Sequence, residues 1–167
     1  LLDFAQRSGV DAVHIIAHSM GNRGLLRAID AIAKTAASAA PVRFGQIILA
    51  APDVDAELFT DLAAAYNQIS TRATLYVTTN DKAIGLSRNL HLFHRAGLAP
   101  PVAVVPGIDT IDASRVNLGL IGHSYASEMR AVLADMHRII QANTAPDSRF
   151  GLRRAMGGTA AYWEFVP

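Results

Sequence analysis

The sequence contains no cysteine, which excludes disulfide bonds, thiolate metal sites and a cysteine nucleophile. Charged residues make up only 17% of the 167 residues and their net charge is +1, so neither a disordered chain nor a basic nucleic-acid-binding surface is expected. No apolar run approaches the roughly 18 residues needed to span a bilayer. The hydrophobic share, 51%, is enough for the core of one compact domain.

Four short apolar runs predict β-strands, at 11–17, 45–55, 73–81 and 101–109. Each run is continuous rather than alternating, which is typical of strands buried on both faces of a parallel sheet. Helical spacing of apolar residues predicts helices at 20–39, 56–69, 86–96 and 124–141. This alternation predicts an α/β fold, in which a parallel sheet carries helices on both faces.

The two ends of the chain are expected to differ from this regular body. Residues 144–167 show no hydrophobic period, so we expect them to pack on the domain formed by 1–143, through residues such as Trp163, or to be partly disordered. The chain begins at Leu1 rather than methionine, and its first residues are typical of the end of a helix. We therefore expect a C-terminal piece of a longer protein, and infer no localisation from its start.

Ser19 stands where the first predicted strand gives way to a helix, within the stretch IIAHSMGNRG. Serine favours helix N-caps, so a purely structural role is one interpretation. The other is a nucleophile, because a sharp strand-to-helix turn raises the serine hydroxyl above the sheet. Ala17 and Gly21 are small, as the crowded backbone of such a turn requires. The N–H of Met20, at the start of the helix, would face a developing oxyanion.

A serine hydroxyl becomes a good nucleophile when a histidine removes its proton and a carboxylate orients that histidine. Asp81 ends the third predicted strand, and His123 stands at the head of the last predicted helix. Ligands meet the carboxyl ends of parallel strands, so these residues are the predicted acid and base. Asp53 and Asp55, which end the second predicted strand, are alternative acids, although either is also suited to cap the following helix.

The remaining polar residues receive structural roles at this stage. His14 is expected to be packed inside a strand, and Asp109 and Asp112 to shape the loop that delivers His123. The histidines and aspartates are spread without the H-x-H or H-E-x-x-H spacing of metal sites, and "GLIGHS" lacks the full dinucleotide-binding pattern, so no metal or cofactor is expected.

Four stretches in this order, AHSMGNRGLLRAI, ILAAPDVDAELF, YVTTNDKAIGLS and GHSY, resemble an uncharacterised bacterial α/β-hydrolase family described as esterase- or lipase-like. The resemblance covers residues from about 10 to 141. It implies a serine hydrolase of small-molecule esters or acyl compounds, with Ser19 as nucleophile, His123 as base and an aspartate as orienter. A hydrolase-like binding protein without turnover and an acyltransferase with the same triad are the alternatives.

The same resemblance makes 11–17 the fifth strand of the superfamily fold, so the first four strands would lie upstream. The loop that usually supplies the second oxyanion donor would lie there too. Loss of one such donor typically costs about 100- to 1000-fold in kcat, so this stretch alone is expected to be a poor enzyme. Residues 13–17 would form a bare sheet edge, which invites pairing with the missing N-terminal half or with a second copy in a homodimer.

Overall fold

The structure, a computed structural model, describes residues 1–36, 43–79, 93–116 and 126–166. In these ranges the helices are α1 (Leu2–Arg7), α2 (Gly21–Ala36), α3 (Ala56–Leu62), α4 (Ala64–Ile69) and α5 (Ala126–Ala142), with a short 3-10 helix at Pro146–Ser148. The strands are β1 (Ile15–His18), β2 (Phe44–Ala50), β3 (Ser70–Val77), β4 (Ile108–Asp112), β5 (Leu152–Gly157) and β6 (Ala160–Phe165). None of the helices in the described ranges is both long and apolar enough to cross a membrane.

These strands form one sheet in the order β1-β2-β3-β4-β6-β5. The first four are parallel to their neighbours, β6 is parallel to β4, and β5 runs antiparallel to β6. Helices cover both faces, so the predicted α/β fold class is confirmed. The carboxyl ends of β1, β2, β3 and β4 consequently lie at the same edge of the sheet, and β1 is an outermost strand.

The core is divided between the two faces of the sheet. Successive residues of a strand point to opposite faces, so a strand buried on both sides must be apolar throughout. Within β2, Ile47 and Leu49 pack beneath α2 and α4, whereas Ile48 packs against α5. All three side chains are fully buried. This arrangement explains why the strand runs of the sequence are continuous rather than alternating.

The fourth strand lies later in the chain than predicted, at Ile108–Asp112 instead of 101–109. Pro101 and Pro106 have no N–H to give to a strand ladder, and the segment between them has no regular secondary structure. Its apolar residues pack against the core beneath α2 and α4 as an irregular segment. The real strand was missed because Asp109 and Asp112 interrupt its apolar pattern.

Two predicted helices also differ from the observed ones. The helix predicted at 56–69 is two helices, α3 and α4, separated at Ala63. Of the helix predicted at 86–96, residues 93–96 are not helical, and Arg95 instead forms a β-bridge with Asp55. The rest of that predicted helix lies outside the described residues.

The C-terminal tail adds a β-hairpin to the sheet. Gly157 pairs with Ala160 across a two-residue turn in which Gly158 has φ +63°, a conformation that glycine adopts without strain. Phe165, 3% exposed, packs with the core against α5. The tail therefore has regular structure that its lack of hydrophobic period did not indicate, although a glycine at the first position of a two-residue loop is typical of hairpins.

A buried polar cluster attaches the segment before this hairpin to the sheet. The buried guanidinium of Arg149 lies 3.1 Å from Asp135 of α5 and 3.4 Å from Asp109 of β4, while Tyr76 donates to Asp135 at 2.6 Å. Burial raises the pKa of Asp135, against the opposing effects of Arg149 and Tyr76. Asp109, expected to shape the loop before His123, belongs instead to this cluster.

Candidate active site

Ser19 follows the last residue of β1 and adopts φ 50°, in the left-handed region of the backbone map. Outside glycine this conformation is uncommon, and it costs about 1–3 kcal/mol, so it persists only where the surrounding structure imposes it. The helix α2 begins only two residues later, at Gly21. A strained serine between a parallel strand and a helix is the geometry of a nucleophile elbow.

Hydrogen bonds on both sides of Ser19 hold this conformation. Its N–H extends the strand ladder to the carbonyl of Ala50 at 3.0 Å. Its carbonyl oxygen accepts from the N–H and the side-chain amide of Asn22, both at 3.2 Å, and from the N–H of Asp53 at 3.2 Å. Asn22 is 1% exposed, so its amide makes this contact out of competition with water. The turn is thus fixed from its own helix and from the chain that follows β2.

Among the described contacts, the Ser19 hydroxyl accepts no hydrogen bond from the N–H groups in the first turn of α2. The N–H of Asn22 donates to the Ser19 carbonyl, and the N–H of Arg23 donates to the carbonyl of Met20. The N–H of Met20 donates to no backbone carbonyl in the part of the chain that the structure describes. Ser19, a half-buried residue, therefore lies two residues before the first residue of a 16-residue helix, at an N-terminus where negative charge is stabilised.

The sequence predicted that position 21 needs a small residue because the backbone is crowded there, but the structure shows no such crowding around Gly21 among the described atoms. A Cβ built on Gly21 meets nothing within 4 Å among the described atoms. Steric crowding in the described part of the chain therefore does not explain this glycine. At Ala17 the side chain is half-buried in β1, between the exposed Ile16 and His18.

Asp53, one of the alternative acids, is held by two arginines. Its carboxylate lies 2.6 Å from Nη2 of Arg23, and its carbonyl accepts from Nε of the same arginine at 2.7 Å. Arg95 approaches from the other side, with Nε 3.2 Å from Asp53 Oδ1 in an ion pair whose angle makes no hydrogen bond at Nε. Because the N–H of Asp53 also contacts the Ser19 carbonyl, we call Arg23, Asp53 and Arg95 the elbow clamp.

Asp55, the other alternative acid, is the N-cap of α3. Its Oδ1 accepts from the N–H groups of Glu57 and Leu58, both at 3.0 Å. This is the capping role that aspartate commonly has at a helix start. Both carboxylates that follow β2 are thus engaged in structural interactions.

The loops that lead to the predicted acid and base are joined at their starts. The N–H of Thr79, just beyond β3, donates to the hydroxyl of Ser114, just beyond β4, at 2.9 Å. The carboxylate of Asp112 accepts from the N–H of Ser114 at 2.8 Å, which is the loop-shaping role expected of it. Asp81 and His123 themselves lie outside the described residues.

His14 is exposed rather than packed in a strand, because β1 begins one residue after it. Its Nδ1 accepts from the N–H of Gln46 at 3.0 Å, and its ring covers Gly45, where a Cβ would lie 2.6 Å from the ring. Within the four described ranges, no group of three His, Asp or Glu side chains is placed to hold a metal ion.

A cleft of about 510 Å³ opens beside the elbow, between α2 and the start of α3. Its apolar lining comes from Leu26, Val54, Leu58 and Phe93, and its charged lining from Arg23, Arg27, Arg95, Asp55 and Glu57. This volume is within the range of about 300–1,000 Å³ that is usual for small-molecule sites. We call it the arginine cleft.

The model of a family of alpha/beta hydrolases of unknown function (DUF900) matches residues 1–142. The chain belongs to this family. The match contains all of β1 to β4 and the elbow, so the DUF900 domain includes the sheet edge at which the candidate site lies. Membership of an alpha/beta hydrolase family points to hydrolase activity. Comparison with curated proteins and with solved structures gave no match.

Proposed function

We propose that this DUF900 protein is a serine hydrolase of carboxylic esters or related acyl compounds. The observation that carries the proposal is the left-handed conformation of Ser19 at the turn between β1 and α2, at a helix N-terminus that suits a developing oxyanion. A strained residue is retained where the surrounding structure imposes it, and such residues cluster at active sites. Here three hydrogen bonds to one carbonyl impose it.

In this mechanism the Ser19 hydroxyl attacks the ester carbonyl while His123 takes its proton, and the N–H of Met20 stabilises the oxyanion. The alcohol leaves with that proton, which gives an acyl-serine. His123 then removes a proton from water, whose attack releases the carboxylic acid and restores the serine. Asp81 keeps the imidazole in the required tautomer.

Two observations support the assignment of the acid and base to the loops after β3 and β4. These loops start at the same sheet edge as Ser19 and are joined by the Thr79–Ser114 hydrogen bond. The alternative acids have other roles, since Asp53 belongs to the elbow clamp and Asp55 caps α3.

The test is labelling by a fluorophosphonate probe together with turnover of p-nitrophenyl esters. We expect both to be lost in Ser19→Ala and retained in Ser8→Ala, a control at the end of α1 whose hydroxyl donates to the Ala5 carbonyl. Unchanged labelling of Ser19→Ala would show that another residue reacts. A folded full-length protein without labelling or turnover would instead favour the binding-protein alternative, and ester formation with an added alcohol would favour an acyltransferase.

The acid is tested by comparing Asp81→Asn with Asp53→Asn. In a well-studied serine protease, an amide in place of the triad carboxylate fixes the wrong histidine tautomer and lowers kcat by about 10,000-fold. We expect Asp81→Asn to lower kcat by a similar factor. Asp53→Asn should instead lower thermal stability, with a much smaller fall in kcat for the protein that remains folded. The reverse order would assign the acid to Asp53.

A further inference from the structure

The two walls of the arginine cleft begin at the elbow itself. Arg23 is the third residue of α2, which begins two residues after Ser19, and Arg27 follows about one turn later. On the opposite wall, the N–H of Asp53 contacts the Ser19 carbonyl, and Val54 and Asp55 continue into the cleft. The cleft is therefore lined by residues of the two chain segments that hold the Ser19 turn.

The apolar part of the cleft is exposed, because nothing in the described part of the chain covers it. Leu58 is 39% exposed and Phe93 is 64% exposed, and both line the cleft with the buried Leu26 and Val54. Exposed apolar surface beside a few polar groups is typical of a small-molecule site. This lining suits the methylene groups of an acyl chain.

Among the described residues, the charged lining of the cleft leaves one cation, Arg27, for a ligand. Arg23 and Arg95 share the carboxylate of Asp53 in the elbow clamp. Arg27 is exposed and forms no ion pair with any side chain in the described ranges.

The acidic residues of the cleft stand on the opposite wall. Asp55 is occupied through Oδ1 by two N–H donors of α3, and Glu57 is exposed. Neither forms an ion pair with Arg27 among the described contacts. The guanidinium of Arg27 is therefore available for a carboxylate at the far end of the cleft, where a planar fork of donors can bind it in two places.

We infer that the arginine cleft selects acyl groups whose far end carries a carboxylate, such as the half-esters of dicarboxylic acids. This inference rests on the proposed function for its link to Ser19. Arg27 is the specificity-determining residue, and the apolar lining holds the methylene chain between the two polar ends.

A binding experiment tests the cleft without requiring turnover. Calorimetric titration compares adipate with hexanoate, which has the same six carbons but lacks the second carboxylate. We expect wild type to bind adipate about tenfold more tightly, the size of one hydrogen bond to a charged group. Arg27→Gln should remove this preference, whereas Arg130→Gln, an exposed arginine on α5, should retain it. Glu57→Gln should increase adipate affinity, because it removes a like charge from the cleft.

Equal binding of the two acids by wild type, including no measurable binding of either, would overturn the inference. So would a preference that survives Arg27→Gln. Turnover separates this result from the proposed function, with mono-p-nitrophenyl adipate and p-nitrophenyl hexanoate as the matched esters. If hexanoate ester is hydrolysed through Ser19 with no preference for the adipate ester, the proposed function stands and the inference fails. If the full-length protein hydrolyses neither ester but the adipate preference depends on Arg27, the cleft assignment stands and the proposed hydrolase function fails.

Discussion

Replacing Asp53 by alanine tests whether the elbow clamp stabilises the fold. The Asp53 side chain is 5% exposed, and the Arg95 side chain beside it is 8% exposed. Removing the carboxylate would leave the guanidinium of Arg95 buried without its counterion, which typically costs about 3–5 kcal/mol. The contribution of Arg23 is smaller, because its side chain is 44% exposed and solvent screens the pair to about 1 kcal/mol or less.

The expected loss is a large part of the stability of an ordinary domain, about 5–15 kcal/mol. For a chain of this size it corresponds to a fall in Tm of about 6–20 °C. Urea unfolding followed by far-ultraviolet circular dichroism measures the free energy directly. Arg23→Gln is the matched control, with an expected loss of about 1 kcal/mol.

A double variant separates loss of the ion pair from loss of the side chain itself. Asp53→Asn combined with Arg95→Met removes both charges, and an apolar replacement of a buried pair is often neutral or stabilising. We expect it to be more stable than Asp53→Ala. The reasoning fails if Asp53→Ala unfolds within 1 kcal/mol of wild type, or if the double variant is no more stable than the single one.

Three further predictions concern other parts of the fold. Asp55→Ala removes the cap of α3 and should reduce the free energy of unfolding by about 1 kcal/mol, measured by urea unfolding with Asp61→Ala as a control in the last turn of the same helix. Burial raises the pKa of Asp135 above 3.8, so the carboxyl group of the unfolded chain loses its proton first as the pH rises. Wild type should therefore lose stability relative to Asp135→Asn between pH 4 and the raised pKa. A difference between their unfolding free energies that does not change with pH would contradict this. Because β1 is an outermost strand and its Ile16 is 56% exposed, we propose that β1 pairs with a second copy or with an upstream segment. If it pairs with a second copy, Ile16→Lys should shift the chain toward monomer in analytical ultracentrifugation. A wild type that is already monomeric at high concentration would argue against self-pairing.

The parallel sheet was predictable because burial on both faces leaves a direct mark on the sequence. The runs around β1, β2 and β3 are apolar at consecutive positions, and their short length and β-branched residues favour buried strands over buried helices. β4 was not predicted at its observed position, because Asp109 is accommodated in the strand by ion pairs with Arg72 and Arg149. These two partners are 37 and 40 positions away in the chain.

The turn at Ser19 likewise combines a feature that the sequence predicted with contacts that it did not. The sequence by itself marked Ser19, because a serine between an apolar strand and a helical period is a local pattern with few explanations. It gave no role to Asn22 or Arg23, and it left Asp53 as a candidate acid. Those roles depend on contacts between the first turn of α2 and the chain after β2, some 30 residues later.

The sequence by itself determined the alternation of strands and helices and the position of the strained serine, because both depend on residues that are neighbours in the chain. Only the tertiary structure decided which carboxylates near that serine form ion pairs and helix caps, and which arginine of the cleft has no ion-pair partner among the described residues. Charge pairing depends on distances between separate elements, and those distances are fixed only when the strands take their order in the sheet and the helices pack on it.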